Sequence, residues 1–237
     1  MRNYDVGLNI RRSTTMEIYG IVGAGGFGRE VAPIVKQMLE DLPYCNKYKI
    51  VFIVENSEDK SVSGYDVLSP EEFISSPYER KFFNIAIGDS KVRERIASIL
   101  IDAGAIPFTI KSSNSMQYET SNIDDSAILC PFTCVTADSK IGKFFHANIY
   151  SYVAHDCTIG DFVTFAPGVK CNGNVIIGNH VYVGTGAIIK QGTKKRPITI
   201  GDGAIIGMGA VVTKSVPPGV TVFGNPAKPL TKSGMKS

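Results

Sequence analysis

Stepping by six from Ile123 reaches Leu129, Val135, Ile141, Ala147, Val153, Ile159, Phe165, Cys171, Ile177, Val183 and Ile189, and every one of these residues is apolar. The register breaks once, then resumes at Ile200, Ile206 and Val212. Four residues further along each hexad the side chain is usually small or β-branched, as at Ala127, Thr133, Ser139, Ser151, Val163, Val169, Val175, Val181 and Ala187. A period of six matches neither the 3.6 of a helix nor the 2 of a strand. It describes short strands separated by turns and stacked as a solenoid. Three hexads, about 18 residues, make one turn of a triangular prism whose step-six side chains point inward, with parallel strands of adjacent coils about 4.8 Å apart. Apolar residues are 43% of the chain, too few for composition alone to yield twelve in succession in one frame.

The first half follows a different rule. Glu17–Val22, Lys49–Val54, Phe82–Ile87 and Ile106–Ile110 have the pattern of short buried strands. Between them, Arg29–Leu39 has helical spacing, and Val92, Ile96, Ile99 and Leu100 mark an amphipathic helix closed by Gly104. Ser69-Pro70-Glu71-Glu72 is a helix start, with a capping Ser, Pro at the first helical position and Glu three residues on. Alternating strands and helices predict a parallel sheet covered on both faces. The expected boundaries are an extension over 1–15, an α/β domain over 16–112, a linker over 113–122, the hexad solenoid over 123–217 and a tail over 218–237.

A net charge of +3 offers no electrostatic case for nucleic acid. No apolar run has membrane-spanning length, and residues 1–15 carry Arg11-Arg12 but no signal-peptide apolar core. The five cysteines, at 45, 130, 134, 157 and 171, are odd in number and form no paired metal motif, which reads as reduced thiols in a cytoplasmic protein.

The hexads, the ending "VVTKSVPPGVTVFGNPAKPL" and the order of α/β domain before solenoid resemble the bacterial nucleotide-sugar and sialic-acid acetyltransferases of the hexapeptide-repeat class. The resemblance implies a Rossmann-like half domain followed by a left-handed parallel β-helix. It also implies a homotrimer, with acetyl-CoA lying between neighbouring β-helices and direct transfer to an amine or hydroxyl by a histidine base. Of His146, His155 and His180, the family's active-site coil falls on "YVAHDCTIG", hence on His155. His155 is the third residue of its hexad, so it is not an inward core residue. One coil on from it stands Gly173, whose backbone amide is expected to serve a developing oxyanion. Asp156 takes the place of the carboxylate that holds the imidazole in the family, where Glu is the commoner residue. Being a methylene shorter, it is expected to reach the ring at longer range or through water. His146 and His180 are expected on turns or at subunit contacts. The three-histidine spacing of the zinc-binding β-helix enzymes is absent, and Cys157 and Cys171 fall at inward positions, so no metal is expected.

By motif position the donor contacts fall at Thr164, Thr185 and Met208. The register break loops out five residues around Thr193–Thr199, where Lys194, Lys195 and Arg196 either meet CoA phosphates or serve solubility. Gly23-x-Gly25-x-x-Gly28 has the context of a phosphate loop at a helix N-terminus, but a second mononucleotide half is missing, which argues against NAD. The resemblance instead places an acceptor's nucleotide diphosphate against Gly25, Gly26, Phe27, Glu55, Asn56 and Gly88, with Phe27 standing where many relatives carry His. The reading is therefore an acetyltransferase acting on the amino group of a nucleotide-linked 4-amino-4,6-dideoxy sugar. O-acetylation of a sialic acid and a trimeric scaffold without turnover are the alternatives.

Overall fold

The computed structural model describes residues 16–41 and 48–230; the extension expected over 1–15 lies outside them. The α/β domain opens with β1 (Glu17–Val22), α1 (Gly26–Glu40) and β2 (Tyr48–Ile53). A hairpin follows that the hydrophobic pattern did not reveal, β3 (Ser61–Val62) and β4 (Tyr65–Leu68). Its turn residues Ser63 and Gly64 both have positive φ, the requirement of the tight turn that matches strand twist. Next comes α2 (Pro70–Ser75), capped as its sequence predicts: Ser69 Oγ accepts the Glu72 amide at 3.2 Å, and the Glu72 carboxylate accepts the Ser69 amide at 2.7 Å. Then come β5 (Arg80–Ile85), α3 (Ser90–Asp102) and β6 (Ile106–Pro107). The sheet order is β3-β4-β2-β1-β5-β6. Since β1 lies between β2 and β5, the chain leaves it first to one side and then to the other. The crevice outside the carboxyl ends of β1, β2 and β5 is the place where such sheets bind ligands.

Three expectations change here. The strand expected over Ile106–Ile110 is two strands: β6 closes the α/β sheet, and Ile110–Lys111 already belongs to the solenoid. Residues 113–122, expected as a linker, contain Met116–Gln117 and Asn122–Ile123, which pair with the coil above. At the other end Thr221–Phe223, inside the expected tail, adds one more parallel rung, and Lys228–Pro229 folds back on it antiparallel.

The solenoid is a parallel β-helix with three faces. One strand of each face near its start is Ile128–Leu129, Cys134–Val135 and Lys140–Ile141, belonging to the first, second and third face respectively. Successive rungs pair 18 residues apart, as in Cys134↔Tyr152; across the register break they pair 23 apart, as in Ile188↔Val211, which accounts for five inserted residues. The step-six residues from Leu129 to Val212 are all buried, and they form one continuous core. The corners have a period of their own. Phe132, Asp138, Phe144, Tyr150, Asp156, Phe162, Asn174 and His180 all take a left-handed conformation, φ between 50° and 61°. Asp and Asn adopt it readily, whereas Phe and Tyr do so against a steric cost. Column stacking offsets that cost: Phe144 lies on Phe162 at 5.4 Å, and Phe162 on His180 at 5.3 Å.

The α/β domain packs on the first face and on the corner between the third and first faces. The Asn84 amide donates to the carbonyls of Phe108 (2.6 Å) and Ser126 (3.0 Å), and the Phe83 ring meets Phe144 at 6.1 Å. On α3 the buried stripe is Arg93, Ile96, Ala97 and Leu100, while Ile99, expected in the apolar stripe, is 44% exposed. No helix among the described residues is long and apolar enough to cross a membrane.

Candidate active site

His155 and Asp156 stand on the corner between the second and third faces. Asp156 occupies the left-handed position of that corner (φ 57°), which suits Asp and turns its carboxylate back toward the preceding residue. The result differs from the longer or water-bridged contact expected for a short side chain: Oδ2 is 2.6 Å from His155 Nδ1. Both side chains remain about half exposed. With a proton on Nδ1 donated to the carboxylate, Nε2 carries the lone pair. The ring lies directly over Gly173. A Cβ built there would be 2.5 Å from both Cε1 and Nε2, so only glycine leaves room for the imidazole. Among the described residues no acceptor takes the Gly173 amide, whereas its carbonyl accepts the Gly192 amide at 2.9 Å.

The acceptor residues expected from sequence meet at the carboxyl ends of β1, β2 and β5. The glycines of the loop divide into two kinds. Gly23 (φ 97°) makes the turn, and Gly28 lets helix and strand close, since a Cβ on it would be 1.9 Å from the Gly23 carbonyl oxygen. Gly25 and Gly26 have nothing within 4 Å of that position and are exposed, so their backbone faces open space at the start of α1. Gly88 is exposed and open in the same way on the turn after β5. A cavity of about 200 Å³ lies between these turns, lined by Val22, Gly23, Ile53, Glu55 and Ile87. At its edge Arg95 donates twice to Glu55, at 3.0 and 2.8 Å, and holds that carboxyl below its ordinary value. Asn56 follows with positive φ, turning the chain away from β2.

The three donor residues do not come together. Thr185 and Met208 are exposed neighbours on the corner between the first and second faces, where the Thr185 carbonyl accepts the Gly209 amide at 2.8 Å. Thr164 lies on the first face, 6% exposed beneath the α/β domain, with Oγ1 accepting from Arg93 at 3.1 Å. Its hydroxyl is therefore engaged between the domains rather than offered to a donor groove. The inserted loop rises on the same corner as His155. Thr193 and Arg196 exchange backbone bonds at 3.0 and 2.9 Å, which leaves Lys194 and Lys195 exposed at the tip.

The remaining histidines differ from each other. His180 is on a turn, stacked on Phe162 and 3.1 Å from Lys91 Nζ. His146, expected on a turn or at a subunit contact, is instead fully buried in a strand of the first face. Its Nε2 is 2.8 Å from the Ile85 carbonyl, which requires a proton there and makes Nδ1 an acceptor. Burial, then the nearby Arg93 charge, push its pKa well below the usual value, so this imidazole is neutral. Phe27 leans on it with ring centres 5.1 Å apart. Among the described residues no three His, Cys, Asp or Glu side chains converge as a metal site.

A phosphate-type glycine turn on a half-sized α/β domain, joined to a hexad β-helix that bears a carboxylate-held imidazole, defines a hexapeptide-repeat acyltransferase. Comparison with known proteins agrees. Residues 20–100 match the PglD N-terminal domain. Over 219 residues the chain is 52% identical to the GDP-perosamine N-acetyltransferase of Escherichia coli O157:H7, spanning 92% of this chain and 98% of that one. Among solved structures, WeeI from Acinetobacter baumannii AYE is similar with a TM-score of 0.86 at 53% identity, over 91% of this chain and 100% of that chain. The acetyltransferase domain of PglB from Neisseria gonorrhoeae FA1090, in complex with acetyl coenzyme A, is similar with a TM-score of 0.80 at 28% identity, over 91% and 100%. The chain belongs to the hexapeptide-repeat sugar acetyltransferases, whose β-helix is left-handed.

Proposed function

We propose that this enzyme transfers the acetyl group of acetyl-CoA to the amino group of GDP-perosamine, a nucleotide-linked amino sugar, for a bacterial surface glycan. The observation that carries the chemistry is the imidazole of His155, held by Asp156 at 2.6 Å with Nε2 over Gly173. The amine attacks the thioester carbonyl and gives its proton to Nε2. The carbonyl oxygen, now an anion, takes the Gly173 amide. Collapse of the tetrahedral intermediate expels the CoA thiolate, and the proton held on His155 passes to it. The diphosphate rests on the open backbone of Gly25 and Gly26 at the start of α1, with Gly88 opposite and the base toward Glu55 and Asn56. The guanine and perosamine assignment draws on the relative that is 52% identical over nearly the whole chain. A thiol-release assay with acetyl-CoA tests it against GDP-perosamine, UDP- and dTDP-linked amino sugars, and free sialic acid. The expected result is release that depends on GDP-perosamine and forms an amide. Release only with sialic acid would replace the reading by O-acetylation, and no release with any acceptor would leave a scaffold.

We further propose that the working unit is a homotrimer with acetyl-CoA in the groove between β-helices. In one chain the acceptor crevice adjoins the first face, His155 stands on the corner between the second and third faces, and Thr185 and Met208 stand on a third edge. A neighbouring copy is what brings such parts together. The stacked pair Phe132–Tyr150, 54% and 62% exposed, and Met116, 59% exposed, supply apolar surface for that contact. Sedimentation at micromolar concentration should give three times the monomer mass; a monomer would sink the shared site. The free thiols of Cys130, Cys134, Cys157 and Cys171 support a cytoplasmic location.

A further inference from the structure

Arg93 of α3 is completely buried, and no carboxylate bonds to it among the described residues. Burial pushes its pKa down to about 10, which still leaves it a cation at neutral pH. Taking a charge out of water without a bonded carboxylate is expensive, the nearby Asp89 charge offsetting only part of the desolvation, and an apolar side chain of similar size would fill the space more cheaply. What the guanidinium does that an apolar side chain cannot is tie four carbonyl or hydroxyl groups from two domains to one plane. Nη1 donates to the carbonyls of Ile87 (2.7 Å) and Gly88 (3.3 Å), and Nη2 donates to the Phe162 carbonyl (2.5 Å) and Thr164 Oγ1 (3.1 Å). Nη1 also lies 3.4 Å from His146 Nδ1, the nitrogen left as an acceptor. Of the Arg93 nitrogens only Nε has no hydrogen-bond partner among the described residues.

These contacts join particular places. Ile87 and Gly88 form the turn after β5, one wall of the acceptor crevice. His146 supports Phe27, which stands in the opposite wall at the start of α1. His146 and Thr164 bound the single β-helix coil that contains His155, since Ile128–Leu129, His146–Ala147 and Thr164–Phe165 are successive rungs of the first face. One side chain therefore holds Gly88 directly and Phe27 through His146, and refers both to the coil that carries the base.

We propose that Arg93 is a positioning residue for the acceptor: it fixes both walls of the acceptor crevice to the frame of the β-helix, and Thr164 and His146 act with it rather than with the donor. This rests on the reading that Gly25–Phe27 and Gly88 hold the acceptor. A mere structural strut would lower stability and disturb both substrates alike; a positioning residue acts on one of them.

The test uses Arg93→Lys and Thr164→Val in the full chain. The measurements are KM for GDP-perosamine and for acetyl-CoA, GDP affinity by calorimetry, and melting temperature. Lys keeps the charge but has no planar fork, so the acceptor KM and the GDP Kd are each expected to rise about tenfold, as for loss of a charge-assisted bond. The acetyl-CoA KM should stay within about twofold, below what one lost hydrogen bond would produce. Thr164→Val removes one acceptor of Arg93 and should shift the same two acceptor quantities in the same direction. If Arg93→Lys moves neither acceptor quantity, or raises both substrates' KM in parallel, the proposal is overturned. If Arg93→Lys does not fold, Thr164→Val decides: a change confined to acetyl-CoA would return Thr164 to the donor groove and overturn the proposal, as would no change at all. Wild-type enzyme that binds GDP but ignores GDP-perosamine would remove the assigned substrate while leaving the GDP measurement to judge Arg93. Wild-type enzyme that does not bind GDP would overturn both.

Discussion

Replacing His155 by alanine is expected to lower turnover by about 10²–10⁴-fold, the usual contribution of a positioned general base. The geometry argues for the upper part of that range. Nδ1 is committed to Asp156 at 2.6 Å, so the ring presents one defined nitrogen, Nε2, to the reacting groups. No other histidine can substitute. His146 is sealed between the domains, and His180 is stacked against Phe162 beside Lys91 on a different corner. The nearest cysteine in sequence, Cys157, is buried below the corner with its thiol directed at the Asn172 carbonyl, 3.2 Å away. Steady-state kinetics under saturating acetyl-CoA would check this, with melting temperature as a control for folding. Because the side chain is about half exposed, the fold should survive its loss. A variant retaining more than about a tenth of wild-type turnover would end the general-base assignment, since even a weak base supplies more than that.

Gly173→Ala should also be strongly damaging, although it adds only a methyl group. Its Cβ would sit 2.5 Å from Cε1 and Nε2 and 3.0 Å from Cδ2 of the imidazole, well inside the 3.5–4.0 Å of ordinary carbon contact. The ring must move by about 1 Å, and a displacement of that size costs roughly 10²-fold in rate. The loss should appear in kcat with little change in the KM for either substrate, because the methyl alters where the base stands rather than how ligands are held. The two variants together separate two ideas. An inactive His155→Ala beside a fully active Gly173→Ala would keep the base but remove the bare glycine from the mechanism.

The site was legible in sequence to the extent that it follows from stacking. Position 155 and position 173 differ by one coil, and a ring on one coil above a glycine on the next is a consequence of an 18-residue period. The direct His155–Asp156 contact does not follow from side-chain length, because it depends on the left-handed conformation at Asp156, which shortens the reach. On α3 the apolar pattern marks Val92, Ile96, Ile99 and Leu100; Ile96 and Leu100 are buried, and Arg93 and Ala97 complete the buried stripe. Both sets have helical spacing; the packing of the α/β domain on the β-helix turns Arg93 inward and leaves Ile99 exposed. Ile110, Ile128 and His146 stand on the outside of the first face and are all buried. Two apolar side chains at outward positions of a hexad strand were a sign that something covers that face.

By itself, then, the sequence determined the coil length, the inward core, the five-residue insertion and the stacking of His155 over Gly173, because each follows from a short repeat acting between near neighbours along the chain. The tertiary structure alone decided what the outward residues of the first face do. Thr164 could belong to a donor groove and His146 to a turn until the α/β domain was laid against them. Burial and partners at those positions depend on residues such as Ile85 and Arg93, 61 and 71 positions away from the atoms they bond. No periodicity carries information across such a separation; the packing of one domain on the other does.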